Sequence, residues 1–417
     1  MEANISEYIA HHQWLDIHRN DRETRMSTNR FPTLPEPSLV TPDFDSTLAS
    51  LKERYFKKTG HYPTVNDPET VHLEAIAYTK NELIDEINYE SKQNLLAFAE
   101  EDRLEHLGAL VGAGERLGAA SASTVVEFAF TAGHAGVVIP KGYELKAADD
   151  QTIFLCMQDY IVDAGEANLL ANFECQTPGE EGNGFIAGQI STIVDTSIAE
   201  VESATNVTPS QGGAPEEDDD RYAYRIWLAP SGWSSCGPYD AYEYFALSAS
   251  SAIGSVSIWT PAPNDISISA ILLDGSLPEQ PIIDAIYAQC SGKKRVPQGD
   301  RVAVVAPGGV NGTATIALQV FNDYAALGKT IVDTATKLVN DELLKWRTTH
   351  GKDIVVQDLE TICKNIEGVY YADVTITDSD GNVIDKKKSI SKQERANITL
   401  TSVTHTVIDE LSSNNFQ

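Results

Sequence analysis

The stretch Arg221 to Pro263 reads RYAYRIWLAPSGWSSCGPYDAYEYFALSASSAIGSVSIWTPAP, and it holds more helix and turn signals than any other stretch of its length in the chain. Apolar residues at helical spacing stop at Ala229-Pro230-Ser231-Gly232, and Gly237-Pro238 marks a second turn before helical spacing resumes. From Val256 the spacing changes to a period of two, which is typical of a strand. The stretch therefore predicts a helix, a loop, a second helix and a strand.

An acidic run at residues 216–220 lies where the first of these helices would begin. Carboxylates at that position accept hydrogen bonds from the unpaired backbone N–H groups of a helix and interact favourably with its dipole. The run is therefore expected to have a structural role at the start of the helix.

Composition and charge limit the classes of protein to which the chain can belong. Its 417 residues predict about three domains. The 61 acidic and 31 basic residues give a formal net charge of −30, which argues against binding to nucleic acid or to an anionic membrane, although it also fits a solvated surface alone. No apolar run approaches the roughly 20 residues that cross a bilayer, and the first residues contain no signal-peptide core, so the protein is expected to be made in the cytoplasm. The five cysteines lack CxxC spacing and are predicted to be buried or free thiols.

The first part of the chain predicts an arm, a strap and long helices. Residues 1–26 have the pattern of a short amphipathic helix, and the four prolines of residues 31–42 predict an extended strap. Asp67-Pro68-Glu69 is a strong helix start, and apolar residues follow it at steps of three and four. Two alternatives remain open: one continuous rod of roughly 60 Å to Leu110, or a hairpin broken near residues 88–94.

In either case the apolar residues form a narrow line along the helix and the other faces are acidic. This pattern predicts a bundle helix whose apolar line must be buried against another element. The candidate partner-interface residues are Leu73, Ile76, Leu83, Ile84, Ile87, Leu95, Phe98 and Leu104.

The rest of the chain changes character twice. Short runs of alternating apolar and polar residues between residues 124 and 207 predict a β-rich sandwich or small barrel. The region that follows mixes the residue spacings of strands and helices, and the last hundred residues alternate strand and helix patterns. The predicted fold is α+β and multidomain, with an N-terminal long-helix segment, a β-rich domain, an α+β middle domain and a small two-layer α/β C-terminal domain. The predicted boundaries are 1–45 for the arm and Pro-rich strap, 46–115 for the helical bundle segment, 116–210, 211–310 and 311–417.

No catalytic constellation, cofactor site or metal site is predicted. The chain has no HExxH, P-loop or CxxC motif, and Gly232-Trp233-Ser234-Ser235-Cys236-Gly237 lacks the spacing of a hydrolase elbow. The glycines at 112, 114 and 118 fit the end of a helix better than a nucleotide loop. The turn at residues 378–382 lacks the glutamate that completes a calcium loop and is expected to be a hairpin.

Motifs in order along the chain resemble the baseplate J-like family of contractile-tailed phages and related injection machines. The resemblance covers residues 67–407. It is carried by Glu115-Arg116-Leu117-Gly118, Thr124-Val125-Val126-Glu127-Phe128, Val138-Ile139-Pro140-Lys141-Gly142, Gly182-Asn183, Gly212-Gly213, Arg221 and Arg225. Within the opening stretch the family motif includes Gly232, Cys236, Gly237, Pro238 and Tyr242; Cys236 departs from the small, alanine-like residue that the family leads us to expect, and the first 45 residues look longer than the family's usual start.

The resemblance implies a structural baseplate wedge subunit rather than an enzyme. It implies a six-fold ring around a tube, in the baseplate of a virion tail or an injection particle. The implied partners are a second copy of the chain, a companion baseplate wedge protein, the sheath-initiating baseplate subunit and neighbouring wedges, with no nucleic acid and no membrane. The competing alternatives are a β-rich carbohydrate-active enzyme and a soluble binding or adhesin module.

Overall fold

The computed structural model describes residues 29–408, apart from residues 36, 38, 195, 235, 293, 294, 296 and 298. The helix expected within residues 1–26 lies outside this range. The chain divides into two compact units: Met1–Glu115 with Asp218–Trp227, and Arg116–Glu217 with Leu228–Gln417. Residues 218–227 thus cluster with the N-terminal unit, whereas the sequence places them in a middle domain of residues 211–310.

The first unit is helical. Its helices are α1 (Phe44–Thr59), α2 (Pro68–Lys92), α3 (Asp102–Val111) and α4 (Asp219–Leu228), the last of which ends one residue beyond the unit. Asp43 caps α1 by accepting a hydrogen bond from Ser46 N, and Gly60 ends the helix in the left-handed conformation, with φ of 74°. The proline at the first position of α2 agrees with the predicted helix start.

The continuous rod is the wrong alternative, because α2 ends at Lys92 and α3 begins at Asp102. Polar side chains at the end of α2 bond to the backbone: Ser91 Oγ donates to Ile87 O, and Asn94 Nδ2 donates to Glu90 O. The buried Gln93 accepts a hydrogen bond from Glu100 N at 2.9 Å, which holds the segment between the two helices in a non-helical path. Such local side-chain bonds compete with the continuation of a helix.

The second unit begins with a β-rich domain. Its strands are β1 (Ser123–Phe130), β2 (Val137–Ile139), β3 (Glu144–Ala147), β4 (Ile153–Cys156), β5 (Tyr160–Val162), β6 (Asn168–Cys175), β7 (Ile190–Ile193) and β8 (Val201–Asn206). Six of them form an antiparallel sheet in the order β7-β3-β4-β6-β1-β8, and β2 pairs with β5. Aromatic side chains fill the core, where the Phe128 ring contacts the rings of Tyr143 and Phe173. The predicted β-rich domain is confirmed.

The middle of the second unit contains a 3-10 turn (Ala229–Trp233), α5 (Tyr239–Leu247), β9 (Ile253–Ala262), β10 (Asp265–Leu272), α6 (Gln280–Cys290) and β11 (Arg301–Val304). The three strands form a sheet in the order β11-β10-β9. The opening stretch therefore has the predicted sequence of helix, turn, helix and strand, and its strand begins three residues earlier than Val256.

The last part contains β12 (Gly308–Phe321), a 3-10 turn (Asn322–Leu327), α7 (Gly328–Thr348), β13 (Ile354–Val355), α8 (Val356–Lys364), β14 (Val369–Asp378), β15 (Val383–Ile384), β16 (Lys387–Lys388) and β17 (Glu394–Ile408). The main sheet has the order β15-β14-β12-β17, with β12 and β17 parallel. Alternate residues of the long strands pack against α7 and α8 around the fully buried Trp346. The α+β multidomain fold with a two-layer C-terminal part is confirmed.

Candidate partner-binding surface

Three of the predicted interface residues form an exposed apolar line on α2. Ile76, Leu83 and Ile87 are 52%, 58% and 50% exposed, and their spacing of seven and four residues places them along one face of the helix. We call these three residues the α2 stripe. Large aliphatic side chains of this kind are normally buried, so a line of exposed ones on one helix face is a candidate interaction surface.

The neighbouring face of α2 packs within the same unit. Ala77 and Thr70 are buried, Leu73 and Ile84 are half-buried, and α1 packs against α2 with Lys80 Nζ donating to Thr47 Oγ1 at 3.2 Å. The α2 stripe therefore lies beside an existing helix–helix contact, where a further helix could pack against it.

The remaining predicted interface residues lie beyond the end of α2. Phe98 and Leu104 are buried, at 3% and 0% exposure, while Leu95 is 42% exposed. Lys92 Nζ lies 5.3 Å from the centroid of the Phe98 ring. Phe98 and Leu104 thus serve the core of their own unit in this conformation, and only Leu95 adds exposed apolar area to the surface.

Sequence reasoning missed a second set of exposed apolar residues in the same unit. Val71 and Tyr78 are 64% and 48% exposed and lie seven residues apart on another line of α2, and Val65 before the helix is 82% exposed. The spacing of seven could identify Val71 and Tyr78 in the sequence, but the line that contains Leu83 and Ile87 has more apolar members and is therefore the stronger signal.

Helix α4 is tied to the end of α3 by two buried side chains. The Arg225 guanidinium donates to Ala113 O at 2.6 Å and to Glu115 O at 2.7 Å, and Tyr222 Oη donates to Gly114 O at 2.9 Å. The guanidinium also lies 5.0 Å from the Tyr222 ring centroid. Three consecutive carbonyl groups, those of residues 113–115, thus accept hydrogen bonds from side chains of one helix. We call this arrangement the carbonyl clamp.

The strap also packs within this unit. Arg30 donates from its backbone N to Ala97 O at 3.1 Å, and its guanidinium pairs with Asp219 and Asp220. Asn88 exchanges two hydrogen bonds with the backbone of Val40. These contacts hold Val40 against α2, and Arg30 against α4 and the segment that follows α2.

The acidic run has the structural role that the sequence suggests. Asp218 caps α4 by accepting a hydrogen bond from Arg221 N at 2.9 Å. In the second unit, Glu217 is 3% exposed and accepts a hydrogen bond from Leu117 N at 3.1 Å, while its carbonyl accepts one from Arg116.

The Gly-Asn and Gly-Gly motifs meet at the exit of the β-rich domain. Asn183 Nδ2 donates to Gly213 O, and Gly213 N donates to Asn183 Oδ1, both at 2.8 Å. A Cβ on Gly213 would lie 2.3 Å from Gly179 O, so no larger residue fits there without movement of the backbone. These residues lock the chain where it leaves the β-rich domain.

The family-motif loop is a packed corner with an exposed rim. Gly237 has φ of 61°, and a Cβ there would lie 2.9 Å from Tyr242 Oη. Tyr242 is 2% exposed, and burial raises the pKa of its hydroxyl to about 12. A Cβ on Gly232 would meet the Tyr244 ring at 3.1 Å, and Pro238 immediately precedes α5. Cys236 is an exposed free thiol, whereas the other cysteines are buried and free.

Other candidate sites resolve into structural features. Asp378 accepts hydrogen bonds from the backbone of Asp380 and Asn382 and from Lys388 Nζ, and the Asn382 bond above all holds the pKa of the carboxyl below its usual range. This is the expected hairpin turn. Across the part of the chain that the structure describes, no group of three or more His, Cys, Asp or Glu side chains is placed to hold a metal ion. The described helices include none long and apolar enough to span a membrane.

Two family models match successive parts of the chain. The Baseplate J-like N-terminal domain matches residues 66–121, and the Baseplate J-like protein barrel domain matches residues 125–213. The chain contains two domains of the baseplate J-like family. The α2 stripe lies in the first matched domain, and the hydrogen bonds between Asn183 and Gly213 lie in the second. The resemblance found in the sequence is confirmed.

The chain was also compared with individual proteins. No curated protein matches the chain. The chain is similar to one in the cryo-EM structure of the anti-feeding prophage (AFP) baseplate, 6-fold symmetrised, with 11% sequence identity and a TM-score of 0.35, over 91% of this chain and 97% of that chain.

Proposed function

We propose that this baseplate J-like protein is a structural wedge subunit in the baseplate of a contractile tail or injection machine. In this proposal it assembles into a six-fold ring around the tube and links neighbouring wedges. The observation that carries the proposal is the α2 stripe, an exposed apolar surface within the Baseplate J-like N-terminal domain.

The stripe fits a helical partner. Its residues recur at the spacing at which one helix packs against another, and full burial of a Leu or Ile side chain contributes about 1.5–3 kcal/mol. We assign this partner as a bundle formed by a second copy of the chain and a companion baseplate wedge protein. The later domains would contact neighbouring wedges and the sheath-initiating baseplate subunit.

The proposed role is mechanical rather than enzymatic. Residues of the sequence motifs fix the course of the chain: Arg225 binds the carbonyls of Ala113 and Glu115, Asn183 bonds to Gly213, and Gly237 accommodates Tyr242. A ring that fires must hold one arrangement of subunits and then adopt another, which requires rigid bodies joined at distinct interfaces. The protein would be made in the bacterial cytoplasm and act in the baseplate of a virion tail or an injection particle.

The test is a double substitution in the stripe. Leu83→Glu with Ile87→Glu should weaken binding to the companion wedge protein by about 100-fold or more. The complex would lose two aliphatic side chains that binding buries, and it would have to desolvate two carboxylates instead. Co-purification of the co-expressed pair is the measurement, and circular dichroism should show that the double variant remains folded.

The matched control places the same charges on another face of α2. Val71→Glu with Tyr78→Glu also replaces two exposed apolar residues of α2, here seven positions apart rather than four, and should leave co-purification unchanged. If the Leu83/Ile87 variant still co-purifies at the wild-type level, the stripe is not the bundle interface and this proposal is wrong.

A further inference from the structure

Two arginines from the C-terminal part of the second unit contact the turn that follows β10. Arg395, at the start of β17, donates from Nη1 to Gly275 O. The aliphatic stem of Arg347, in the last turn of α7, lies over the same glycine, where an added Cβ would be 2.7 Å from Arg347 Cδ and 2.9 Å from Arg347 Cγ. The two side chains therefore reach one turn from two different elements.

No acidic side chain neutralises this pair within the described part of the chain. Neither guanidinium forms a salt bridge there, and the carboxyl of Asp274 is exposed and already accepts hydrogen bonds from Ser276 N at 2.8 Å and Ser276 Oγ at 2.6 Å. Burial, and then the positive charge of Arg347, lower the pKa of Arg395 below its usual value. Arginine nevertheless stays protonated in proteins, so two like charges persist side by side.

Arg347 also carries a donor that no described protein group accepts. Its Nε is buried and has no hydrogen-bond partner among the residues that the structure describes. The position of Arg347 in the last turn of α7 gives its charge a favourable interaction with the helix dipole, but it supplies no acceptor for Nε. A buried donor without an acceptor lowers stability, so an acceptor oxygen beside Nε would raise it.

The histidine beside the pair adds no negative charge. The His350 ring lies 2.8 Å from Ser255 Oγ and 3.0 Å from Ser269 Oγ, and the positive charge of Arg395 reaches it. A local excess of positive charge is unusual in a chain with 61 acidic and 31 basic residues. It makes this joint a place where a small anion is attracted although the molecule as a whole repels anions.

We propose that Arg347 and Arg395 form a binding site for a small tetrahedral oxyanion, phosphate or sulfate, at the joint between the middle and C-terminal parts. A guanidinium offers its N–H groups in a planar fork that matches two oxygens of such an anion. The Nε–H of Arg347 donates to one oxygen, and the charge of the anion offsets the repulsion between the two guanidinium groups. The bound ion links α7 and β17 at the turn after β10. The site lies within one chain, so it does not depend on the proposed wedge role.

The first experiment measures thermal unfolding of the full-length protein with inorganic phosphate as the probe. The protein is dialysed into phosphate-free buffer and then titrated to about 10 mM phosphate, with NaCl adjusted to hold the ionic strength constant, because screening alone stabilises a highly charged chain. We expect a dissociation constant of about 0.1–1 mM and a rise in melting temperature of about 2–5 °C. Equilibrium dialysis should show a single site per chain. A melting temperature that phosphate does not change overturns the proposal.

The variant Arg347→Met distinguishes a binding residue from a structural one. It keeps an aliphatic stem over Gly275 but removes the charge and the unpaired donor. Without phosphate it should melt at or above the wild-type temperature, because the repulsion is gone, and the rise with phosphate should be lost. Arg301→Met is the matched control: this exposed arginine of β11 pairs with Asp265, and its loss should leave the phosphate response unchanged. If Arg347→Met is destabilised equally with and without phosphate, Arg347 is structural and the proposal is wrong.

A conservative variant and other anions then test the recognition itself. Arg347→Lys keeps the charge but lacks the planar fork, so it should bind phosphate about tenfold more weakly than the wild type. Wild-type affinity in this variant would contradict the hydrogen bond assigned to Nε. Sulfate should stabilise the wild type about as much as phosphate does, and acetate at the same concentration should have a much smaller effect. If acetate stabilises the protein as strongly, the site recognises a carboxylate, and the assignment of a tetrahedral oxyanion is wrong.

Discussion

The Arg225 guanidinium is 2% exposed and donates to the carbonyl oxygens of Ala113 and Glu115. Arg225 contributes to the free energy of folding mainly through these two hydrogen bonds, because a buried carbonyl left without a donor costs about 1–3 kcal/mol. The residue therefore holds α4 against the end of α3 more firmly than a surface ion pair could. The distance in sequence explains why the pairing could not be predicted: Arg225 follows Glu115 by 110 residues, and motif position alone does not indicate which carbonyls it binds.

Arg225→Met should lower the free energy of unfolding of the helical unit by about 2–4 kcal/mol, because two buried carbonyl groups lose their donors while the aliphatic volume is largely kept. Urea unfolding followed by circular dichroism measures the loss. The control is Arg103→Met, which breaks a salt bridge to Glu90 between side chains that are 40% and 49% exposed and should cost much less stability than Arg225→Met. Similar losses in the two variants would contradict the clamp.

Gly213→Ala should destabilise the β-rich domain by about 2 kcal/mol or more, because the added Cβ would lie 2.3 Å from Gly179 O and 3.2 Å from Ala122 N. Backbone atoms cannot move aside as a flexible side chain can. Gly118→Ala is the control, since a Cβ there meets nothing within 4 Å, and it should change stability by less than about 1 kcal/mol. Thermal unfolding of both variants measures their stabilities. A Gly213→Ala protein as stable as the control would show that the backbone around Gly213 can move to accommodate a side chain.

At the scale of elements, hydrophobic spacing was sufficient to predict most helices and strands and the fold class. The start of α2 at Pro68 was predictable from a different signal, because proline and an acid occupy the first turn. Hydrophobic spacing did not decide whether the helix breaks after α2. The hydrogen bond that decides it, from Glu100 N to Gln93 Oε1, joins residues seven apart, and helix propensity treats such residues independently. The parallel pairing of β12 with β17 was also beyond the sequence, because it depends on contacts across more than 80 residues.

The α2 stripe shows the limit of the same reasoning for function. Helical spacing selected Ile76, Leu83 and Ile87, which are exposed, together with Phe98 and Leu104, which are buried in their own unit. The two groups look alike in sequence because both continue an apolar pattern at steps of three and four. Only tertiary packing separates a residue that needs a partner from one that already has its neighbours.

Across the second unit, polar contacts join the successive parts of the chain. Gln211 Nε2 donates to Leu277 O at 3.0 Å between the β-rich and middle parts. Ser257 Oγ donates to Lys392 O at 2.6 Å, and Arg395 donates to Gly275 O, between the middle and C-terminal parts. Hydrogen bonds depend on geometry more strictly than apolar contacts do, so these joints favour one arrangement over others.

The joint between the middle and C-terminal parts contains a histidine that should make stability depend on pH. His350 Nδ1 lies 2.8 Å from Ser255 Oγ and Nε2 lies 3.0 Å from Ser269 Oγ, so the ring bridges β9 and β10 to the end of α7. Burial, and secondarily the positive charge of Arg395, lower the pKa of His350 from 6.5 to about 4. The folded protein therefore binds this proton less readily than the unfolded chain does.

A lowered histidine pKa stabilises the fold fully above pH 6.5 and loses that contribution as the pH falls towards 4. Between pH 7.5 and 5 the loss is about 1–2 kcal/mol, reduced from the full effect because the ring is only partly buried. His350→Gln keeps a donor and an acceptor for the two serines but does not titrate, so its free energy of unfolding should fall less steeply over this range than that of the wild type. Urea unfolding at several pH values measures the difference in free energy of unfolding between the variant and the wild type. The contributions of the carboxylates cancel in this difference because both proteins contain them. The exposed His106→Gln on α3 is the matched control and should follow the wild-type curve. Parallel curves for His350→Gln and the wild type would mean that the ring takes up a proton without opening the joint.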